Sequence, residues 1–236
     1  MEKLAGKVRA AVERYQMIEE GDVIAVGVSG GKDSLAMLYA LSGLRRFYPA
    51  SFELTAVTVD LGFENLNLDK ITALCAELEV PYHIVGTDIG KIIFEDRKES
   101  SPCSLCAKMR KGALNQAMKE LGCNKIAYAH HKDDVVETML LSLIYEGRFH
   151  CFAPVTYLDR MDMTVIRPLM YVQEADVIGF VNKYHVPVVK NPCPADGHTK
   201  REYAHLLLQQ LNRENPGVKE RMFHAVQDAL PAWRIC

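Results

Sequence analysis

The sequence predicts an α/β protein built on a parallel sheet of about five strands, with helices on both faces and a helical C-terminal extension. Two observations predict this architecture. Short β-branched apolar runs alternate with longer amphipathic stretches, which is typical of parallel strands joined by helical crossovers. The chain has 236 residues, of which 49% are apolar, so it can bury one sizeable core. The predicted strands are Val23–Val28, Phe52–Val59, Tyr82–Val85, Lys125–Ala129 and Val165-Ile166.

Helices are predicted before, between and after these strands. Residues 1–20 form an amphipathic N-terminal helix without the apolar run or cleavage signal of a secreted protein. The other predicted helices begin at Leu35 or cover Leu68–Leu78, Ser104–Leu121, Val135–Tyr145, Gln173–Tyr184, His198–Leu211 and Val218–Leu230. We therefore expect three parts: the N-terminal helix, an α/β body over residues 21–170, and a helical C-terminal part over residues 171–236.

Charge and cysteine content narrow the class of protein. The net charge is −2, so the overall composition does not indicate a nucleic-acid partner, and the basic residues near the C-terminus are typical of a solvated surface. The longest apolar stretch, Val135–Tyr145, contains Glu137 and is too short to span a bilayer, so we expect a cytoplasmic protein with no membrane contact. In that compartment seven cysteines favour thiolate chemistry or metal binding over disulfides.

A glycine turn, Ser29–Ser34 (SGGKDS), joins the first predicted strand to a helix. Adjacent glycines let a phosphate oxygen approach the backbone N–H groups, and the helix N-terminus and Lys32 add positive charge. A Walker A loop would need glycine at Val26 and serine or threonine at Asp33, so this is a different phosphate loop. Ligands bind at the carboxyl ends of parallel strands, which predicts that this turn and the segments after Val59 and Ala129 line one crevice.

The segment after Ala129 begins His130-His131-Lys132-Asp133-Asp134 and opens a helix. One of the two carboxylates could cap that helix, whereas the other, facing a bound triphosphate, could hold Mg²⁺. One of the two histidines could donate to a phosphate or to a leaving group. The sequence does not choose within either pair.

Three cysteines stand apart from the rest. Cys103 and Cys106 are three residues apart at the start of a predicted helix, so their thiols could hold one metal centre or act as a redox pair. Cys193, between two prolines, is the best third ligand, and three thiolates leave one coordination position open. Arg110 shares the thiol face, where it could keep the thiols deprotonated or contact an RNA phosphate. Cys75 and Cys123 are expected to be buried, structural cysteines; Cys151 and Cys236 have no predicted role.

The glycine turn matches the SGGxDS signature of the PP-loop ATP pyrophosphatases. Together with CSLC, HHKDD, YEGRF at Tyr145–Phe149 and a late Cys-Pro followed by Gly197 and Arg201, it resembles the tRNA 2-thiocytidine synthetase family over residues 21–217. The resemblance implies a Rossmann-like PP-loop domain of the HUP type. It also implies a sulfurtransferase that converts ATP to AMP and pyrophosphate, adenylates the C2 carbonyl of cytidine 32 in the tRNA anticodon loop, and replaces that oxygen with sulfur.

The same resemblance implies site residues and partners. Asp134, Arg110 and Asp33 match catalytic positions, although arginine at position 110, where some relatives have lysine, is better suited to charge stabilisation than to proton transfer. The nucleotide site comprises Ser29, Gly30, Gly31, Lys32, Asp33, Ser34, Val59 and His130, with Mg²⁺ held in part by Asp33. A 4Fe-4S cluster is held by Cys103, Cys106 and Cys193. The expected partners are tRNA, a cysteine desulfurase or other sulfide donor, and a second copy of the chain in a homodimer.

Two other functions fit parts of the sequence. A PP-loop ligase that attaches nitrogen, as lysidine synthetases do, would have no use for the three cysteines together. An ATP-binding scaffold that is not an enzyme could use them for a structural metal. RNA binding depends on the resemblance more than on the charge of the chain.

Overall fold

The computed structural model describes residues 2–63, 66–97, 102–189, 193 and 200–234. Within these residues, six strands form a sheet in the spatial order β3-β2-β1-β4-β6-β5. The strands are β1 (Asp22–Gly27), β2 (Phe52–Asp60), β3 (Tyr82–Gly86), β4 (Lys125–Ala127), β5 (Val155–Leu158) and β6 (Met163–Ile166). All neighbouring pairs are parallel except β5 and β6, which form an antiparallel edge. β1 is central, pairing with β2 along its whole length and with β4 through Ile24, Ala25 and Val26.

Helices connect the strands and complete the C-terminal part. They are α1 (Glu2–Arg14), α2 (Lys32–Arg45), α3 (Asp69–Glu77), α4 (Ile89–Lys91), α5 (Pro102–Glu120), α6 (Lys132–Glu146), α7 (Glu174–Tyr184), α8 (Lys200–Glu214) and α9 (Val218–Ala229). A π-helical turn, Ile92–Asp96, continues α4, and a 3₁₀ turn, Pro231–Trp233, follows α9. Among the described residues no helix is both long enough and apolar enough to cross a membrane.

The alternation of β1 side chains explains why helices cover both faces of the sheet. Ile24 and Val26 belong to a buried cluster that includes residues of α1, α2, α3 and α7. Ala25, which points to the opposite face, packs in a second cluster with Leu114 and Met118 of α5. Both faces of the strand are therefore apolar and buried, as expected for a parallel sheet.

A third cluster joins the C-terminal helices to α6. Val135 and Met139 of α6 pack with Leu208 of α8, Phe223 of α9 and Trp233. The Trp233 indole N–H donates to the carbonyl oxygen of Phe152 at 3.2 Å. This packing brings the C-terminal helices against the helix that begins at the end of β4.

The predicted fold class is confirmed, with differences in detail. The sheet has six strands rather than about five because Val155–Leu158, a short edge strand, was not predicted. Two helices begin earlier than expected: α6 starts at Lys132 rather than Val135, and α5 at Pro102 rather than Ser104. Proline is well tolerated in the first turn of a helix, so α5 includes both cysteines of the CSLC motif. His198, Gly197 and Cys236 lie outside the described residues.

Candidate functional site

A cavity of about 640 Å³ lies at the carboxyl ends of the central strands. The three segments predicted to converge all line it: Ser29 from the glycine turn, Val59 at the end of β2, and Ala129 after β4. A smaller adjoining cavity of about 230 Å³ also contacts Ser29 and Val59. Arg110 of α5 lines both cavities. The crevice predicted from strand order is therefore present.

The glycine turn has a backbone that other residues could not adopt without strain. Gly30 has φ +81°, and a Cβ there would lie 3.1 Å from the Cβ of Val189. The Val189 N–H donates to the Gly30 carbonyl at 2.9 Å, so Val189 packs directly on the turn. Inside the turn, the Ser29 N–H donates to Ser34 Oγ at 3.2 Å, and Ser34 Oγ donates to the Gly31 carbonyl at 2.9 Å.

Lys32 and Asp33 begin α2, but their side chains make different contacts. Lys32 Nζ lies 3.0 Å from Asp33 Oδ2 and 3.0 Å from Glu174 Oε1 of α7. Burial lowers the pKa of Lys32, but the two carboxylates outweigh it and hold that pKa above its ordinary value. Asp33 lines the cavity, and its Oδ1, which lies 3.7 Å from His131 Nε2, is buried without a hydrogen-bond partner in the described part of the chain. That oxygen can accept a ligand from the cavity.

Asp134 faces the cavity and also caps α6. Its Oδ2 accepts the N–H of His131 at 2.9 Å, while its own N–H donates to His131 Nδ1 at 3.3 Å, which forms a capping box. Its Oδ1 accepts a hydrogen bond from Arg201 Nη1 of α8 at 2.5 Å. Of the two carboxylates, Asp134 is therefore the one that both belongs to the cap of α6 and lines the cavity.

Asp133 is directed away from the cavity. It is 5% exposed, accepts the Glu174 N–H at 2.8 Å and forms an ion pair with Lys219 of α9 at 2.7 Å. Burial raises the pKa of Asp133, but these hydrogen bonds and the Lys219 charge hold that pKa below its ordinary value. Asp133 thus ties the start of α6 to α7 and α9.

The two adjacent histidines also differ. His130 lines the cavity, its ring centroid lies 4.8 Å from that of Phe152, and its Nδ1 is buried without a hydrogen-bond partner among the described residues. Burial lowers the pKa of His130 to about 4, so the ring is neutral near pH 7. His131 is the N-cap of α6 and is 5% exposed. His130 is the histidine that can contact a ligand.

Cys103 and Cys106 occupy the first turn of α5, where Cys103 is exposed and Cys106 half-buried. Burial raises the pKa of the Cys106 thiol, the nearby thiols of Cys193 and Cys103 raise it further, and Arg110 opposes them. The expectation that basic residues keep these thiols deprotonated is therefore wrong for Cys106, because burial outweighs the arginine. Because both other thiols raise the pKa of Cys106, Cys106 lies in the electrostatic neighbourhood of Cys103 and Cys193.

The approach of Cys193 follows from the chain before it. Val189, which contacts the glycine turn, also lines the smaller cavity together with Arg110. Cys193 comes four residues later, so it lies within about 14 Å of Val189. Cys193 is half-buried.

The arrangement of the thiols bears on the kind of metal centre. Across the described ranges, no three His, Cys, Asp or Glu side chains stand close enough to hold a single metal ion. In an iron–sulfur cluster each cysteine binds a different iron, so the thiolates stand farther apart than around one zinc ion, whose sulfur ligands all lie about 2.3 Å from it. Three thiolates are the soft donors that such a cluster takes.

The other described cysteines are buried and separate from this group. Cys75, Cys123 and Cys151 are 1%, 7% and 5% exposed, which confirms the expectation for the first two. Burial raises the pKa of Cys75 to about 11 and that of Cys151 to about 12. These thiols are therefore protonated and inert near neutral pH.

Comparison with known proteins identifies the family. Residues 2–211 match the PP-loop domain family. The chain is 41% identical over 236 residues to a tRNA-cytidine(32) 2-sulfurtransferase of Geobacter sulfurreducens, covering 99% of this chain and 92% of the relative. It is also 41% identical over 232 residues to the protein of that name from Geobacter metallireducens, covering 97% and 90%. The chain belongs to the tRNA-cytidine(32) 2-sulfurtransferase family of PP-loop proteins.

Solved structures agree with this assignment. The U34-tRNA thiolase NcsA from Methanococcus maripaludis, determined with its 4Fe-4S cluster, aligns with a TM-score of 0.79 and 25% identity, covering 96% of this chain and 77% of NcsA. An NH₃-dependent NAD synthetase from Campylobacter jejuni aligns with a TM-score of 0.52 and 16% identity over 100% of this chain and 96% of its own, which supports the fold alone. The resemblance inferred from the motifs is confirmed, and this member of the family is a sulfurtransferase.

Sequence reasoning did not identify Arg167 as a cavity residue of this sulfurtransferase. Arg167, the first residue after β6, lines the larger cavity and is 9% exposed. The run Val165-Ile166 was predicted as a strand, and a charged residue directly after a strand at the carboxyl edge of a parallel sheet is a signal that could have revealed it.

Proposed function

We propose that this protein thiolates cytidine 32 in the anticodon loop of tRNA, using ATP to activate the C2 carbonyl before sulfur replaces its oxygen. The observation that carries the proposal is the position of Arg110, which lines both cavities and acts electrostatically on Cys106. A single side chain thereby joins the nucleotide cleft to the cysteines. The named relatives, similar over nearly the whole chain, support the choice of substrate.

ATP is assigned to the glycine turn and the smaller cavity. The backbone of Ser29–Ser34 offers N–H groups at the N-terminus of α2, where phosphate oxygens are favoured. The smaller cavity is mostly apolar, lined by Leu61, Phe63 and Leu68 together with Val59, and suits a purine base. Lys32 supplies charge at the same turn, although Asp33 and Glu174 already share it.

The two cavity carboxylates suit a magnesium ion. Asp33 presents a buried oxygen without a hydrogen bond, and Asp134 faces the same cavity. Mg²⁺ takes oxygen ligands from one or two carboxylates and from phosphates, which is the donor set available here. Asp33 and Asp134 would hold the ion, whose charge would offset that of pyrophosphate.

Adenylation of the C2 oxygen of cytidine requires stabilisation of negative charge and exclusion of water rather than a strong base. The C2 oxygen of cytidine is a poor leaving group, and joining it to AMP makes the nucleotide the leaving group. Arg110 remains protonated and can stabilise the negative phosphate during this transfer. His130 is neutral, so it can donate or accept one hydrogen bond without adding charge.

Cys103, Cys106 and Cys193 would hold a 4Fe-4S cluster, which when bound would carry the exogenous sulfide that replaces the C2 oxygen. Because three cysteines serve four irons, one iron keeps an open position. The thiols themselves anchor the cluster on the α5 side of the cleft, beside Arg110. A cysteine desulfurase or other sulfide donor, a homodimer and a cytoplasmic location remain predictions from the sequence.

The test separates activation from sulfur delivery. Cys193→Ala should lower thiolation of tRNA by more than about 100-fold while leaving ATP binding unchanged, because the cysteine lies outside both cavities. The matched control is Cys75→Ala, which removes a buried thiol that lines neither cavity. Thiolation is measured by mass spectrometry of tRNA nucleosides under anaerobic conditions, and ATP affinity by calorimetry. Thiolation at the wild-type rate in the Cys193 variant would overturn the cluster assignment.

A further inference from the structure

Arg167, at the end of β6, is held by hydrogen bonds from Nη1, whereas its Nε makes no hydrogen bond to the described residues. Its Nη1 donates to the carbonyl of Ala153 at 2.6 Å and to Thr156 Oγ1 at 3.2 Å. The guanidinium carbon lies 5.0 Å from the ring centroid of Phe152. These contacts orient the side chain, but each of them involves only a neutral partner.

The positive charge of Arg167 has no counter-ion within the described part of the protein. The side chain is 9% exposed, forms no ion pair with a carboxylate there, and has a buried Nε without a hydrogen-bond partner. Burial lowers the pKa of Arg167 to about 10, so it still carries its charge at neutral pH. A buried cation and an unsatisfied N–H are both costly, and an anion entering the cavity would offset both costs.

The order of the strands separates Arg167 from the nucleotide-base side of the cleft. The smaller, apolar cavity lies beside β2, and the glycine turn follows β1. β6 lies on the opposite side of β4, three strands from β2, which amounts to about 14 Å. The part of the large cavity near Arg167 is therefore the part left open for the second substrate.

We propose that Arg167 binds a phosphodiester oxygen of the RNA strand beside the target nucleotide when that nucleotide enters the cavity. This rests on the proposed function, which supplies RNA as the second substrate. A guanidinium binds any phosphate oxygen in the same way, so Arg167 could also bind a phosphate of ATP. The distance from the base side of the cleft favours the RNA as the source.

The experiment measures binding of two anticodon stem–loop RNAs, with cytidine or uridine at the target position, by full-length protein over a range of salt concentrations. Arg167→Gln should weaken binding of both RNAs by about tenfold, because one charge-assisted hydrogen-bonded contact is lost. The slope of the logarithm of affinity against the logarithm of salt concentration should fall by about 0.7, since one fewer counter-ion is released from a single strand. ATP affinity should not change.

Two further variants make the result specific. Arg167→Lys keeps the charge and should keep the salt slope, and it also serves if the glutamine variant fails to fold. Lys70→Gln, an exposed α3 residue that lines neither cavity, is the matched control and should leave both the slope and the affinity unchanged.

Other outcomes would overturn the assignment. A loss of ATP affinity with unchanged RNA binding would assign Arg167 to the nucleotide, and a loss confined to the cytidine RNA would assign it to the base edge. If wild-type protein thiolates tRNA but the glutamine variant binds RNA as tightly as wild type, only the Arg167 proposal fails. If wild-type protein neither binds nor thiolates the RNA, the proposed function fails with it.

Discussion

The two halves of the cleft reach the same edge of the sheet but differ in how their polar groups are satisfied. The half formed after β1 is held by hydrogen bonds within one turn, which join Ser29, Gly31 and Ser34 to one another. In the half formed after β4 and β6, His130 Nδ1 and Arg167 Nε are buried without hydrogen-bond partners in the described residues. The backbone of the first half is satisfied within its own turn, although Asp33 Oδ1 is buried there without a hydrogen bond from the described residues, whereas in the second half two side-chain nitrogens lack partners.

This difference reflects what each half has to bind. A phosphate can be held by backbone N–H groups that a short sequence places by itself, so local hydrogen bonds suffice to prepare the site. Each unsatisfied buried group costs roughly 1–3 kcal/mol, which the surrounding packing has to offset until a ligand arrives. The second half is therefore the part of the cleft where the substrate contributes most to the final structure.

The largest expected effect concerns Asp134, where the two halves meet. Asp134→Asn can still accept the His131 N–H and so keep the cap of α6, but it removes the carboxylate charge from the cavity. Release of AMP in the presence of tRNA should fall by about 10²- to 10³-fold, the usual cost of removing one electrostatic contribution to a transition state. The free energy of unfolding should change by less than about 1 kcal/mol.

The control for Asp134 is its ion-pair partner. Arg201→Gln breaks the contact with Asp134 but leaves the carboxylate in the cavity. AMP release should then stay within about tenfold of the wild-type rate, as expected for a partly exposed pair. An equal loss in both variants would mean that the pair, and not the carboxylate, is needed.

Local patterns made the first half of the cleft predictable. Strand, glycine turn and helix follow one another within Asp22–Arg45, so the phosphate site could be derived without any long-range contact. The convergence of the segments after Val59 and Ala129 followed from parallel pairing alone. Even the helix bearing the CSLC motif was expected, although its first residue was placed two positions late.

Partners distant in the chain could not be predicted. Nothing near Asp133 in sequence indicates that Lys219 of α9 neutralises it, and nothing near Lys32 indicates Glu174. The partner of each of these charged residues lies on a helix of the C-terminal part. The same limit applies to Arg167, whose burial depends on Phe152 and on a short strand with a weak pattern.

A smaller effect is expected in the second half, from the burial of neutral His130. Its pKa is lowered from 6.5 to about 4, so between those values the unfolded chain binds a proton that the folded chain does not. Stability should therefore fall as the pH falls through this window, by about 2 kcal/mol between pH 7 and pH 5. Urea unfolding at pH 7 and at pH 5 measures this loss of stability. The His130→Gln variant should lose correspondingly less stability between the same two pH values. A wild-type curve parallel to that of the variant would contradict the burial of a neutral ring.

Effects of a similar or smaller size are expected from two glycines, one in the turn of the first half and one near the end of α2. Gly30→Ala combines φ +81° with a Cβ placed 3.1 Å from Val189 Cβ and 3.3 Å from Ile71 Cδ1, so it should destabilise the fold by about 1–3 kcal/mol. It should also weaken ATP binding, because the strained turn carries the phosphate-binding N–H groups. Gly43 lies in α2, the helix that follows the turn, and a Cβ there would meet nothing within 4 Å. Gly43→Ala should therefore stabilise the fold by about 0.5–1 kcal/mol. If urea unfolding gave both alanines the same sign, the turn would not be under the constraint that distinguishes it from the rest of α2.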